Sequence, residues 1–269
     1  MSIDVTTGVV RERPAPVRAV RDARAVTWRY LIHYRRVPQL LIFSTIQPVI
    51  FVLMFRYVFG GAIDVPGPTP YVEFLMPGIF VQTVVFGAIA TAIGLATDMK
   101  SGLLERFRSL PMARSAVLAG RTMADLSRNV FVVLLMVAVG FAIGFRVHTG
   151  LWGLIAGLLL LLFFGYALSW IFATVGLWVG DPETAQAAAF PLIAPLVFAS
   201  SLFVPVEKMP SWLQPWAEHQ PVSVTANAVR DLMLGGTDTA YHVAQSLAWC
   251  VAILLVFAPL AIRRYRRAV

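Results

Sequence analysis

The residues of this chain that could do chemistry are few and scattered. Its two lysines, Lys100 and Lys208, follow Met99 and Glu207. A phosphate-cradling G-x-x-x-x-G-K-[ST] loop needs a glycine before its lysine, so the chain cannot build a P-loop. It has no G-x-S-x-G nucleophile elbow. His33, His148, His219 and His242 lie far apart, with no H-E-x-x-H or cysteine cluster at metal-ligand spacing. Glu218 and His219 are adjacent, but in a tryptophan- and proline-rich stretch that reads as an interfacial hydrogen-bonding element rather than a catalytic dyad. Cys250 is the only cysteine, which excludes an intrachain disulfide; in an apolar run it reads as a small buried side chain.

What remains is polarity without charge inside apolar runs: Ser44, Thr45, Gln47, Gln82, Thr83 and Thr91. Such side chains usually bond neighbouring helices. Gln47, Gln82 and Thr83 are also candidates to line a pathway. Glu73 stands at the edge of an apolar run, either as a helix-start charge near water or as a polar contact at an outer gate. Carboxylates are otherwise nearly absent from the apolar runs, which argues against a proton-coupled pump.

The elements that must position these residues are membrane-spanning. Of the 269 residues 58% are hydrophobic and only 13% charged, about half the charge of a soluble domain, so the chain cannot cover a soluble surface. A spanning helix takes about 20 mostly apolar residues. Six segments qualify: Gln39–Phe59, Tyr71–Thr97, about Val130–Phe145, Leu151–Val179, Thr184–Val206 and Ala240–Ile262. The third is short unless its helix begins earlier, near Met123. Pro48 and Pro77 fall inside spans, which membrane helices tolerate. No inverted repeat of the secondary-transporter kind is visible.

Orientation follows from arginine and lysine. With both termini in the cytoplasm, three basic regions lie inside: the tail up to Arg36, the loop from Lys100 to Arg128, and the end "RRYRRAV". The other side keeps Arg56, Arg146, Lys208 and Arg230. The loop "GDPET" after Gly180 carries no positive charge to support its cytoplasmic place. The net charge of +8 therefore fits anionic lipid and membrane orientation rather than nucleic acid. The opening "MSIDVTTGVVRERPAP" has no apolar h-region, so a cytoplasmic tail, disordered to about Pro16, is expected rather than a signal peptide.

Val17–Arg36 predicts a basic amphipathic helix along the inner leaflet, with Val20, Ala23, Thr27, Tyr30, Leu31 and Tyr34 on one face and most arginines on the other. The plainer alternative is a positive-inside signal with no further role. Between the fifth and sixth spans, "EKMPSWLQPWAEHQPVSVTANAVRDLMLGG" is too polar to span and too apolar for a solvated loop. A helical hairpin in the outer interface is expected. Trp212 and Trp216 lie on its first arm, buried at the interface or against the spans. Val222–Leu234 forms the second arm, stopped by Gly235 and Gly236.

Read as a helix, Asp98–Leu110 places Met99, Leu103, Phe107 and Leu110 on one face. Asp98, Ser101, Glu105 and Arg108 fall opposite, with Arg106 at the edge. Pro111 discourages continuation. Such a helix fits a groove on a partner or a bed of lipid headgroups equally well.

Three pieces carry a resemblance: "LMPGIF" at Leu75–Phe80, "ERFRSLPMARSAVLAGR" at Glu105–Arg121, and "FVPVEKMPSWLQPWAEHQPVSVTANAVRDLMLGG" at Phe203–Gly236. In content, order and spacing they are similar to type-2 ABC exporter permeases, especially the daunorubicin-resistance group. The resemblance covers nearly the whole chain. It implies an all-α polytopic fold: a tail and connecting helix over 1–36, then a transmembrane domain over 37–269 with six spans, a cytoplasmic coupling helix and an extracellular hairpin. It implies two paired permease subunits, identical or not, each docking a separate cytoplasmic ATPase in the bacterial inner membrane. Coupling would run through Met99, Leu103, Glu105, Arg106, Phe107, Arg108 and Leu110. Glu73, Trp212 and Trp216 would belong to the outer gate or hairpin. This chain would carry no cofactor; ATP and Mg would sit on the partner. The expected function is ATP-driven export of an amphiphilic drug, antibiotic or lipid-like substrate. A glycan exporter permease is the alternative within the superfamily. An ATP-independent carrier and a membrane-embedded enzyme are disfavoured by the missing carboxylates, repeat and catalytic constellation.

Overall fold

The computed structural model describes residues 15–37, 39–60, 70–103 and 114–268. The tail before residue 15 and the segment carrying Glu105, Arg106, Phe107, Arg108 and Leu110 lie outside the described residues. The elements are α1 (Ala15–Arg36), α2 (Gln39–Leu53), α3 (Tyr71–Lys100), α4 (Arg114–Ala142), α5 (Gly150–Val179), α6 (Pro182–Phe198), α7 (Gln214–His219), α8 (Pro221–Leu234) and α9 (Thr239–Ala268). Among the described residues there is no strand.

Four helices, α3, α4, α5 and α9, are long and apolar enough to cross a membrane. They differ in how deep they sit. In its most apolar stretch α3 is 67% buried within the chain and α9 only 22%, so α3 is the central post and α9 a peripheral one. α3 packs against α4, α5, α6 and α8, while α9 lies on α5 and α8. Exposed apolar side chains such as Phe131 and Leu134 on α4 and Val251 and Leu255 on α9 have lipid available to cover them, because a bilayer removes the usual penalty on apolar surface.

Small residues set how closely α3 can be approached. A Cβ at Gly78 would collide with the carbonyl of Leu202, and one at Gly176 with that of Ala92. Glycine at both places lets backbone meet backbone, the usual device of helix contacts in membranes.

Boundaries depart from the sequence reading where polar groups are paired inside the chain. The third span is not short: α4 begins at Arg114, because Arg121, Asp125 and Arg128, which look like loop charges, are buried on its inner face. α3 runs to Lys100, so Asp98 and Met99 belong to its last turn and not to a separate helix starting at Asp98. Gly102, at φ 66, closes that turn as glycine commonly does past a helix end. Asp98, expected on a solvated face, is only 7% exposed. α6 stops at Phe198 rather than running to Val206; the irregular backbone that follows is held by a buried arginine described below. α6 starts on Asp181, whose carboxylate accepts from the Thr184 amide, with Pro182 at the first helical position.

The first span continues α2 through Pro48 and ends in a wider π-helical turn, Met54–Phe59. Its shorter apolar stretch is Ser44–Phe59. The segment before the last span forms two helices as expected: α7 begins two residues after Trp212, and α8 ends at Leu234, followed by Gly235 at φ 89.

Candidate functional site

One end of the bundle is built around a buried charge cluster that joins three helices. α1 lies along α4, close enough that a Cβ at Gly120 would stand 2.7 Å from the Ala23 carbonyl. The face α1 turns inward carries Val26, Tyr30 and Tyr34, while Trp28 stays exposed. The amphipathic helix expected from the sequence therefore forms, and its aromatic hydroxyls reach into the bundle. Tyr30 donates to Asp98 Oδ2 at 2.6 Å, and Tyr34 to Asp125 Oδ1 at 2.7 Å. Burial raises both phenols well above their ordinary range, so both are neutral donors at physiological pH.

Arg121 is the hinge of this cluster. Its Nη1 lies 3.2 Å from Asp98 Oδ2 and its Nε 3.4 Å from Asp125 Oδ2. Its guanidinium also sits 4.5 Å from the Tyr30 ring centre. Asp125 Oδ2 accepts a further bond from Thr91 at 2.7 Å. Gly94 leaves room for the guanidinium, since any Cβ there would overlap it. A buried ion pair is worth keeping only when its remaining lone pairs are satisfied, and here two tyrosines and a threonine do that. Nearby, Lys100 Nζ meets Asp181 Oδ1 at 2.7 Å, fixing the end of α3 to the start of α6. That lysine, with the Thr184 amide and hydroxyl, holds the exposed Asp181 carboxyl down to about 2.

The sequence reading missed this cluster. Arg121, Asp125 and Arg128 recur at spacings of four and three, one face of a helix. That signal was present but was assigned to a cytoplasmic loop.

Between α2, α3 and α4 opens a cleft of about 240 Å³. Ser44, Gln47, Thr83, Arg128 and Asn129 supply polar wall, and Phe86, Ile89 and Val132 apolar wall. Two of the three candidate pathway residues, Gln47 and Thr83, thus meet. Thr83 spends its hydroxyl proton on the Ile79 carbonyl of its own helix, 2.7 Å away. Gln82 is not in the cleft wall; it is 2% exposed, and its Oε1 has no hydrogen-bond partner among the described residues.

The opposite end is held by Arg230 of α8. All five of its N–H groups find oxygen: Nε on Phe74 O at 2.9 Å, Nη1 on Asn227 Oδ1 at 2.8 Å and on Ser201 Oγ at 3.5 Å, Nη2 on Ser201 O and on Leu202 O at 3.0 Å. Its guanidinium also lies 3.8 Å from the Phe74 ring centre. Desolvation pulls Arg230 down to about 9, which leaves it charged at neutral pH. This residue, read from sequence only as an outer-side charge, joins the hairpin to the start of α3 and to the irregular stretch after α6.

Glu73 is buried in the first turn of α3, with Oε2 3.0 Å from His148 Nε2. It is a helix-start charge paired across to the α4–α5 loop. Trp212 and Trp216 are 77% and 51% exposed; the chain's own helices do not cover them. No hydrogen bond joins Glu218 to His219, whose Nδ1 lies 3.0 Å from Pro215 O. Met99 packs half-buried beside the cluster around Leu95 and Trp170, and Leu103 lines a cavity at the Arg121 end.

The family model described as ABC-2 type transporter matches residues 21–234. That span begins on α1 and ends with α8, so both the charge cluster and the Arg230 anchor fall within it. The daunorubicin resistance ABC transporter permease protein of Streptomyces coeruleorubidus is 38% identical over 255 residues, covering 95% of this chain and 89% of its own length. A probable doxorubicin resistance ABC transporter permease protein of Mycobacterium tuberculosis is 29% identical over 243 residues, with 90% and 87% covered. A putative transport permease of Cyanophora paradoxa is 27% identical over 227 residues, with 79% and 74% covered. A membrane bundle whose polar residues are spent on tying helices together, matched along most of its length by these permeases, is a transport component rather than a catalytic enzyme, and the chain belongs to the ABC-2 type transporter family.

Proposed function

We propose that this chain is the permease subunit of an ATP-driven exporter for amphiphilic drugs or antibiotics, powered by a separate cytoplasmic ATPase that carries the ATP and Mg. The observation that carries this reading is the ion pair between Asp98, in the last turn of α3, and Arg121 of α4, 3.2 Å apart, which ties together the two helices that flank the connecting residues in sequence. A push on the intervening residues is delivered at one cluster to α1, α3 and α4 together. Expected coupling residues Glu105, Arg106, Phe107, Arg108 and Leu110 all lie on that segment. The permease relatives named for daunorubicin and doxorubicin resistance support a drug or antibiotic as the substrate.

The chain crosses the bilayer six times in this proposal, α2 and α6 adding to the four long helices. Both termini and the Arg121 cluster face the cytoplasm. After Cys250→Ser, a cysteine at Ser115 is expected to resist an impermeant thiol reagent in intact cells; its labelling would invert the orientation. The α7–α8 hairpin caps the outer side, with exposed Trp212 and Trp216 in the headgroup layer where tryptophan settles.

The cleft between α2, α3 and α4 is half of the pathway. At about 240 Å³ it falls short of the roughly 300–1,000 Å³ that enclose a drug-sized ligand. A second permease subunit facing it would complete the enclosure. ATP binding on the partners would then rock the two subunits between inward- and outward-facing arrangements whose populations the nucleotide shifts.

Phe107→Ala tests this reading. A buried aromatic anchor can carry about 2 kcal/mol or more at an interface. The variant is expected to insert normally yet lose most ATPase copurification and drug efflux together. Undiminished copurification and efflux would remove Phe107 as the coupling anchor.

A further inference from the structure

A second and larger cavity, about 530 Å³, opens beside the charge cluster between α1, α3 and α4. Among the described residues three arginines line it, Arg29, Arg121 and Arg128, against one carboxylate, Asp98. Asp98 is already committed, since its Oδ2 takes the Tyr30 hydroxyl and Arg121 Nη1. Arg121 is shared between Asp98 and Asp125.

Arg128 is different. It is 9% exposed, and among the described residues its hydrogen bonds go only to neutral oxygens, Gly87 O at 2.6 Å and Asn129 Oδ1 at 3.3 Å. Its Nε is buried with no partner among the described residues. The Asp125 carboxylate acts on Arg128 through space, but its own bonds go to Tyr34, Thr91 and Arg121, and buried guanidinium donors left unspent are costly unless something anionic completes them. Arg128 also lines the smaller cleft described above, and Ala90 and Ile93 are common to both walls. The two spaces therefore share a wall of Ala90, Ile93 and Arg128, of which Arg128 alone is charged: on one side a cationic chamber beside the basic α1 helix, on the other a cleft whose apolar walls include Phe86, Ile89 and Val132.

We propose that Arg128 holds the phosphate of an anionic phospholipid, its headgroup in the larger cavity under α1 and an acyl chain in the cleft between α2, α3 and α4. Basic pockets between transmembrane helices recognise anionic headgroups in this way. Arg29, exposed on the cavity wall, adds the second cation near the mouth. The acyl chain would share the cleft that the proposed function assigns to the pathway, but the test needs neither ATP nor an ATPase, so the failure of one reading is distinguishable from the failure of the other.

The test is lipid retention by the purified full-length chain in neutral detergent, read by native mass spectrometry. Phosphatidylglycerol and phosphatidylcholine of the same acyl chains are titrated separately, with inorganic phosphate as competitor. Both lipids offer Arg128 a phosphate, but the choline ammonium of phosphatidylcholine would be repelled by Arg128 and Arg29, so the wild type is expected to retain phosphatidylglycerol at concentrations about tenfold below phosphatidylcholine. Arg128→Gln is expected to abolish that preference, Arg128→Lys to keep part of it, and Arg146→Gln, at the other end of the bundle, to leave it unchanged. A thiol-reactive dye reporting on Cys250, the buried single cysteine, checks that each variant is folded. If Arg128→Gln does not fold, the wild-type comparison of the two lipids and the loss of preference in Arg29→Gln decide instead. Equal retention of both lipids by the wild type, or an unchanged preference in folded Arg128→Gln, would overturn the site. Displacement of the lipid by equimolar inorganic phosphate would overturn its assignment to a phospholipid.

Discussion

Arg121→Met is expected to lower the stability of the permease by about 3–5 kcal/mol, the usual loss when one partner of a buried ion pair is removed. The cause is not the lost attraction but what stays behind. Asp98 and Asp125, 7% and 1% exposed, would lose the cation that bonds to both, with only the through-space influence of Arg29 on the one and Arg128 on the other remaining. Cys250 is fully buried, so its reaction with a thiol-reactive dye on heating reports unfolding without an added label. For a chain of this size the midpoint is expected to fall by about 10 °C. The triple variant Arg121→Met, Asp98→Asn, Asp125→Asn removes the stranded charges and is expected to regain most of that loss. The single variant melting like wild type would show that the cluster is not what joins α1, α3 and α4. A triple variant no better than the single one would point to packing rather than charge.

Arg230→Met is expected to cost about 3 kcal/mol or more, because three backbone carbonyls, those of Phe74, Ser201 and Leu202, lose their donor inside the protein and each such orphan costs about 1–3 kcal/mol. Methionine keeps the length and apolar contact with Phe74, so the comparison isolates the hydrogen bonds. Arg230→Lys keeps a charge but has only three donors without the planar fork, and is expected to fall between. The damage should be local at first: protease sites in the stretch between α6 and α7 should open before the α3–α5 core does. A wild-type melting curve and unchanged proteolysis in Arg230→Met would mean that α8 is held by its apolar face alone.

The long apolar helices were legible in the sequence because lipid imposes one rule on length and polarity. α3 and α5 match their expected starts to within a residue, and the hairpin helix α8 ends at the predicted glycines. The errors share one cause. Arg121, Asp125 and Arg128 were counted as loop charges because hydropathy weighs each residue alone, whereas their burial depends on partners up to 91 positions away, as for Tyr34 and Asp125. Arg230 reads from sequence only as an outer-side charge for the same reason: its acceptors include carbonyls, which every residue has and no sequence pattern marks. Of the candidate pathway residues, Gln47 and Thr83 share a cleft, while Gln82 turns out of it. One residue of rotation on α3 decides that difference, and composition does not encode it. Trp212 and Trp216 were expected at the interface or against the spans. Only the second of those alternatives is excluded by their exposure.

The central claim is that this chain moves its substrate only when a separate ATPase drives it. The most direct measurement uses inside-out vesicles containing the chain with and without any ABC ATPase found to copurify from native membranes, supplied with ATP or with a proton gradient. A fluorescent amphiphilic drug is expected to accumulate only when the chain, the ATPase and hydrolysable ATP are all present. Accumulation by the chain alone under a proton gradient, without ATP, would contradict the account.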